Sequence, residues 1–441
     1  MTQQEPKERS DMADRKPVQA SPLLFISFFT GIRGNCPAEW ADDKIRVLEV
    51  ANRETVVLTG MGSHVTNRPG VRYIRVPSLS WNDYKEEVKE LKLGGESVPI
   101  SMFIAMPFAF AFGSIIDYIL RKVTKGVSAG RWSWLITALP VAFCLKMRHG
   151  VRDVFCTGGP TSAHVVGGAL VFLTGGRLFC EFQDPLLGAT MTRSSMTHRI
   201  STRIEAWLAK RSTRAVYVTK EAARLARERN PEHAQQIIDV YPGAWKFVPT
   251  VAPSQRSNGG IFEFLHLGTL YGSRNLDLFF NALDALREDG FEPARAVRVV
   301  NLGAVYCETA PRYLARLDFQ SLDALDRVKA LRRAQQASCL LLIQHTDERS
   351  RETIPYKTYD YLNLEMPVFG LLNNDELKAL IEFYGGHAIQ VNETEGIKEM
   401  LRSCLVDLVS ERPTHKRNLS DGNLDISKQF LHLLECPNGV R

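Results

Sequence analysis

Cys339-Leu340-Leu341-Leu342-Ile343, then Glu352-Thr353-Ile354-Pro355-Tyr356-Lys357-Thr358-Tyr359-Asp360-Tyr361-Leu362, then Pro367-Val368-Phe369-Gly370-Leu371 make up the stretch that decides the fold. The first and last runs are short and almost wholly apolar, the pattern of strands buried on both faces of a parallel sheet. Between them, Tyr356 to Leu364 reads as a helix with Pro355 at its threshold. Strand, helix and strand in this order make a βαβ unit, and such units build parallel sheets.

The alternation continues outward from that unit. Upstream, Phe262 to Leu267 reads as a strand, Leu276 to Arg287 as an amphipathic helix and Val297 to Leu302 as a strand closed by Gly303. Leu322 to Ala337 reads as helical, and Asp375 to Tyr384 as the helix after the last strand. The first half repeats the theme. Its strands are Leu23–Phe29, Thr55–Thr59, Tyr73–Pro77, Asp153–Thr157, Arg177–Phe182 and Ala215–Thr219, with helices expected near 38–52 and at Ala163–Phe172. Residues 250–260, rich in Pro, Gly and Ser, read as the linker between two Rossmann-like domains. Open α/β sheets bind ligands at the carboxyl ends of their strands, so two such domains define a cleft.

The chain has 441 residues, 44% hydrophobic and 24% charged, with a formal net charge of +6. This is a globular composition, and the charge permits an anionic partner without selecting one. Residues 1–20 are charged and polar with no apolar core, so they read as a disordered tail and not as a signal peptide. The eight cysteines contain no CxxC pair, and most sit in apolar runs. Free buried thiols in a reducing compartment are expected, with no metal site.

His266-Leu267-Gly268-Thr269-Leu270-Tyr271-Gly272-Ser273-Arg274, followed by the block from Leu340 to Gly370, resembles the donor domain of retaining GT-B glycosyltransferases of family 4. In that family two acidic residues are separated by seven others, and Glu352 and Asp360 have this spacing. The second acid is normally Glu; Asp360 is one methylene shorter. The resemblance implies that Asp360 accepts hydrogen bonds from the donor's ribose and that Glu352 contacts the donor sugar. A carboxylate can accept from both neighbouring ribose hydroxyls. Gly268, Thr269, Pro355 and Tyr356 complete the expected donor site. The family often carries Arg directly after the loop glycine and Lys five positions later; here those places hold Thr269 and Arg274. Arg274 and Lys357 are therefore the expected partners of the leaving diphosphate, whose charge needs fixed cations.

Thr157-Gly158-Gly159-Pro160-Thr161-Ser162-Ala163-His164 and Glu181-Phe182-Gln183-Asp184-Pro185 resemble acceptor-domain motifs of family members acting on lipid-linked sugars. They make Gly159, His164 and Asp184 the acceptor-side candidates. The same resemblance implies retention by front-face attack, with no cofactor and no metal. A sugar-nucleotide epimerase and a non-catalytic scaffold subunit share the fold and are the alternatives.

Pro99 to Ile116 contains eighteen residues without a charge. A helix of that length covers roughly 27 Å, against the ~30 Å hydrocarbon core of a bilayer. Pro107 and Asp117 weaken a full crossing, and a span would put two parts of one sheet on opposite sides of the membrane. A membrane-associating segment near 99–122 lying in the interface is expected, against the plainer reading of a buried core helix. Residues 193–229 hold ten Lys/Arg against three Glu, a net of +7, and read as a surface drawn to anionic lipid. They lack interleaved aromatic residues, so nucleic acid is not expected.

The whole expectation is an α/β, GT-B enzyme. Residues 21–250 form the acceptor domain and 260–415 the donor domain, while 416–441 bring a helix back to the first domain. The partners are a nucleotide-sugar donor, a lipid-linked or oligosaccharide acceptor and the inner face of the cell membrane, reached from the cytoplasm.

Overall fold

A computed structural model of the chain describes residues 21–246 and 260–435, apart from 33, 63–66, 94, 96, 99, 125–130, 189–194, 365 and 411–425. The tail at 1–20 and nearly all of the linker at 250–260 lie outside the described residues.

The apolar runs form two parallel sheets. The first contains β1 (Leu23–Phe29), β2 (Thr55–Met61), β3 (Val71–Arg75), β4 (Asp153–Thr157), β5 (Arg177–Phe182), β6 (Arg214–Tyr217) and β7 (Ile237–Asp239), in the order 3-2-1-4-5-6-7. The second contains β8 (Phe262–Leu267), β9 (Val297–Leu302), β10 (Phe319–Leu322), β11 (Cys339–Ile343), β12 (Val368–Leu372) and β13 (His387–Gln390), in the order 10-9-8-11-12-13. In each sheet the order reverses beside the first strand, which creates the crevice where a doubly wound fold holds its ligand. The central strands β1, β4 and β11 are buried along nearly their whole length, which is why they carry no polar alternation.

Around the first sheet lie α1 (Cys36–Val50), α2 (Trp81–Leu93), α3 (Ile100–Phe108), α4 (Ser114–Thr124), α5 (Trp134–His149), α6 (Thr161–Thr174), α7 (Ser195–Arg211) and α8 (Lys220–Arg229). Around the second lie α9 (Asp277–Glu288), α10 (Ala310–Leu314), α11 (Arg327–Ala334), α12 (Lys357–Asn363), α13 (Asp375–Phe383) and α14 (Thr394–Val409). The last helix, α15 (Ile426–Glu435), packs on the first domain. Its Ile426, Phe430, Leu433 and Leu434 join the core of Phe25 and Phe155, with the Phe155 and Phe430 rings 4.9 Å apart.

Some elements depart from the sequence reading. Residues 322–326 are not helical: Leu322 ends β10, and α11 starts only after Asp326, whose carboxylate accepts from the Lys329 amide and caps the helix. The short strands β7, β10 and β13 also emerge. The segment at 99–116 is not a buried core helix. A five-residue π turn, Ala109–Gly113, joins α3 to α4, and Phe103, Ile104, Phe108, Phe110, Phe112, Ile115 and Ile119 are each more than half exposed. Met102–Thr124 is long and apolar enough to cross a membrane, yet only 7% of its most apolar window is buried. The basic stretch at 193–229 is less free than its composition implies. Arg224 is bound to Glu221 and Glu228, Arg227 to Asp239 and Arg229 to Glu205. Cys36 and Cys144 are exposed, whereas the other described cysteines are buried.

Candidate functional site

The two domains meet through the carboxyl edges of their sheets. Helix α1 follows β1, and its first turns carry Glu39, Trp40 and Asp43; α11 and α12 bring Arg327, Tyr356 and Asp360 from the other side. Arg327 holds Asp43 with both terminal nitrogens at 2.9 Å and reaches Asp360 at 2.6 Å. The Tyr356 hydroxyl also donates to Asp43, and the Tyr356 ring stacks on Trp40 at 5.1 Å. One guanidinium thus bridges a carboxylate of each domain. Burial alone would lower the Arg327 pKa, but Asp360, Tyr356 and Asp43 more than offset this and hold it above its usual value. Burial lifts the Asp360 carboxyl against the pull of Arg327.

Asp360 therefore stands at the domain junction, where Arg327 is its partner. Arg327 is the residue missed by the sequence reading. It lies 33 positions from Asp360 in a helix rich in Arg and Lys, a pattern that ordinarily marks a solvated face. Tyr356 is an interdomain contact. Glu352 is buried at the same junction: its carbonyl accepts from the Thr219 hydroxyl at 2.9 Å, and its charge reaches Arg229 of α8.

Arg274 and Lys357 come together. The glycine loop after β8 turns sharply, with Gly268 at φ +112° and its amide bonded to the Leu302 carbonyl at 2.8 Å. A Cβ on the facing Gly303 would stand 2.6 Å from the Gly268 carbonyl oxygen, so these two strand ends touch backbone to backbone. Thr269 is half-buried beside them, and Pro355 sits two residues before Lys357. The Lys357 ammonium lies 2.5 Å from His266 Nε2 and 2.8 Å from the Leu267 carbonyl. Burial, then the nearby Arg274, pulls its pKa well below the usual lysine value. Burial likewise lowers that of Arg274, whose guanidinium lies over the Tyr271 ring. Neither cation has a carboxylate partner among the described residues. Two half-enclosed cations side by side make this corner of the second domain chemically suited to an anionic group. His345 beside them is held down to about 4 by burial and by Arg274 and Arg349, so it is neutral at pH 7.

On the first-domain side, Gly159 is exposed in the loop after β4, where a Cβ would lie 3.6 Å from the Pro37 ring at the start of α1. Asp184, just past β5, opens toward solvent with no hydrogen-bond or ion-pair partner among the described residues. Although the residue is exposed, the groups packed around its carboxyl partly strip its water and raise it above the usual range. His164 faces the core instead: its Nε2 lies 2.7 Å from the Glu181 carbonyl, its ring stacks on Phe182 at 4.8 Å, and 2% of its surface is exposed. Glu181 itself is tied to Lys44 at 2.9 Å and Thr157 at 2.5 Å. Cys36, at the first turn of α1, shows how these groups converge. Its side chain is exposed, and the partial loss of water at the cleft, with the carboxylates of Glu39, Asp184 and Asp360 around it, raises the thiol above its usual value; it in turn acts on Arg274.

Solved structures share this architecture. An α,α-trehalose-phosphate synthase (UDP-forming) from Burkholderia vietnamiensis is 11% identical and superposes with a TM-score of 0.60 over 96% of this chain and 100% of its own. Sucrose-phosphate synthase from Thermosynechococcus elongatus is 10% identical, with a TM-score of 0.59 over 89% and 92%. HepE from Anabaena, in complex with UDP-glucose, is 10% identical, with a TM-score of 0.53 over 94% and 95%. The fold is GT-B. No protein-family model matches the sequence, and no curated protein does. Identities this low speak for the GT-B fold and leave the chemistry to the residues of this chain.

Proposed function

We propose that the chain is a glycosyltransferase that moves a sugar from a nucleotide-sugar donor to a lipid-linked glycan at the cytoplasmic face of a membrane, as a step in polysaccharide assembly. The observation that carries this reading is the Arg274–Lys357 pair, two cations without carboxylate partners beside the glycine loop of the donor domain. A nucleoside diphosphate supplies the missing charge, and the pair stabilises it further as the sugar leaves. The ribose meets Asp360 together with Arg327, and Glu352 faces the donor from the junction. Asp184 and Gly159 line the acceptor side, with His164 setting the end of β5 from behind. The family resemblance supports retention. The acceptor hydroxyl oxygen attacks C1 on the face the leaving group vacates, the C1–O bond to the diphosphate breaks, and the hydroxyl proton passes to a phosphate oxygen. The bare apolar surface of α3 and α4 supports a membrane-bound acceptor, because a face of that size is poorly tolerated in water.

Incubation of the protein with membrane extract and a panel of radiolabelled nucleotide sugars tests this. Label appearing in the lipid-extractable fraction is the expected result. Recovery of an epimerised nucleotide sugar without any transfer would replace it with an epimerase, and no turnover together with no nucleotide binding would remove both.

A further inference from the structure

We propose that the cavity between α2 and α4 binds the phosphate headgroup of a membrane lipid whose acyl chains lie along the apolar face of α3 and α4. The cavity measures about 490 Å³ and lies apart from the Arg274–Lys357 pair, on the first domain. One wall is the polar face of α2, with Lys85 and Lys89; the other is Leu120 and Arg121 of α4; Arg131 and Trp132 form its floor.

Its charges are not balanced. The two acids in it, Asp83 and Glu86, are both bound by Arg131, at 2.7 Å for Glu86, and Asp83 also accepts from Ser78 at 2.6 Å. Lys85, Lys89 and Arg121 have no carboxylate partner among the described residues. Lys85 and Lys89 stand one helical turn apart, an arrangement that repels unless an anion lies between or beside the two ammonium groups. A phosphate accepts from several such donors at once.

The position selects a lipid over a free anion. Arg121 shares its helix with Ile115, Tyr118, Ile119 and Val123, each at least half exposed, and α3 extends the same surface through Phe103, Ile104 and Phe108. Exposed Tyr118 stands one turn before the cavity-lining Arg121 on the same side of α4, and a ligand seated on the three cations reaches the apolar surface past it. Only a molecule with an anionic head and an apolar body fits both halves. The interfacial depth of such a helix brings its basic end level with headgroup phosphates.

This rests on the membrane association proposed above, and the experiment separates the two. Wild type is sedimented with phosphatidylcholine vesicles and with vesicles that also contain phosphatidylglycerol, and titrated calorimetrically with monomeric dihexanoyl phosphatidate. The expected result is binding to both vesicles, roughly tenfold or more tighter to the anionic ones, since each surface cation contributes a several-fold preference, and measurable binding of the phosphatidate. A Lys85→Glu/Lys89→Glu/Arg121→Glu variant with unchanged melting keeps phosphatidylcholine binding and loses both the anionic preference and the phosphatidate. Reversing Arg298 and Arg312, exposed on the other domain, changes neither. Equal loss in that control, an undiminished preference in the triple variant, or displacement of phosphatidate by equimolar inorganic phosphate overturns the lipid site. If wild type binds no vesicle at all, the membrane reading falls and the headgroup site falls with it.

Discussion

Lys357 holds its proton weakly because burial and Arg274 both oppose the charge. A diphosphate reverses this balance. Nucleoside diphosphate binding is therefore accompanied by proton uptake below the ordinary lysine range, and affinity falls as pH rises through that window. Calorimetry in two buffers of different ionisation enthalpy reads the uptake directly, and Lys357→Met should abolish it. At Asp42 and Glu39 the same physics acts on stability. Burial pushes both carboxyls up to about 7, so the native state binds protons that the unfolded chain, with ordinary values, has already released. Their stabilising share is complete below the ordinary carboxylate range and is lost as pH rises to about 7. Asp42→Asn should flatten the fall in melting temperature between pH 5 and pH 8; an unchanged slope counts against it. Gly268 and Arg274 stood out in the sequence because they share one short glycine-loop motif, and Lys357 and Asp360 because they share a second one far downstream. Arg327 was not, since its two carboxylates come from distant segments and only tertiary closure joins them. His164 was misleading for a related reason: a histidine in the first turn after a glycine loop looks the same in sequence whether it faces the cleft or the core.

At the scale of elements, the segment from α3 to α4 depends on a close approach. A Cβ on Gly113 would collide with the Leu79 carbonyl, so the π turn lies flat on the loop before α2 only because it has a glycine there. Gly113→Ala should loosen the segment while the sheet stays folded. Limited proteolysis should then cut within 100–124 much faster than in wild type, with a small change in melting temperature; equal cutting rates would contradict the packing argument. The long buried strands β1, β4 and β11 were legible from their apolar runs. Strands β10 (Phe319–Leu322) and β13 (His387–Gln390) were not, because four residues with polar members carry too little periodicity, and their position at the sheet edges needs no second apolar face. The apolar run at 99–116 announced an unusual helix, but its exposure is a property of packing. The same residues would read identically inside a core.

At the scale of the whole molecule, Arg327 ties a carboxylate of each domain to one guanidinium. Removing it leaves Asp43 and Asp360 buried together without a cation, a loss of about 3–5 kcal/mol for broken buried pairs. Part of this is relieved by opening the cleft, so Arg327→Ala should enlarge the radius of gyration in X-ray scattering. An unchanged radius would mean that α15 and the remaining contacts hold the domains alone. The two-domain α/β plan was visible in the order of strands and helices, whereas the closure was not, because ion pairs across a cleft leave no periodic trace. The central claim is that the uncompensated pair Arg274 and Lys357 receives a nucleoside diphosphate, and calorimetric titration of UDP, GDP and ADP tests it most directly. At least one should bind to wild type, and the Arg274→Ala/Lys357→Met variant, still folded by melting, should weaken that binding by more than about tenfold, or ~1.4 kcal/mol. No binding of any of the three to wild type, or undiminished binding to the double variant, would contradict the account.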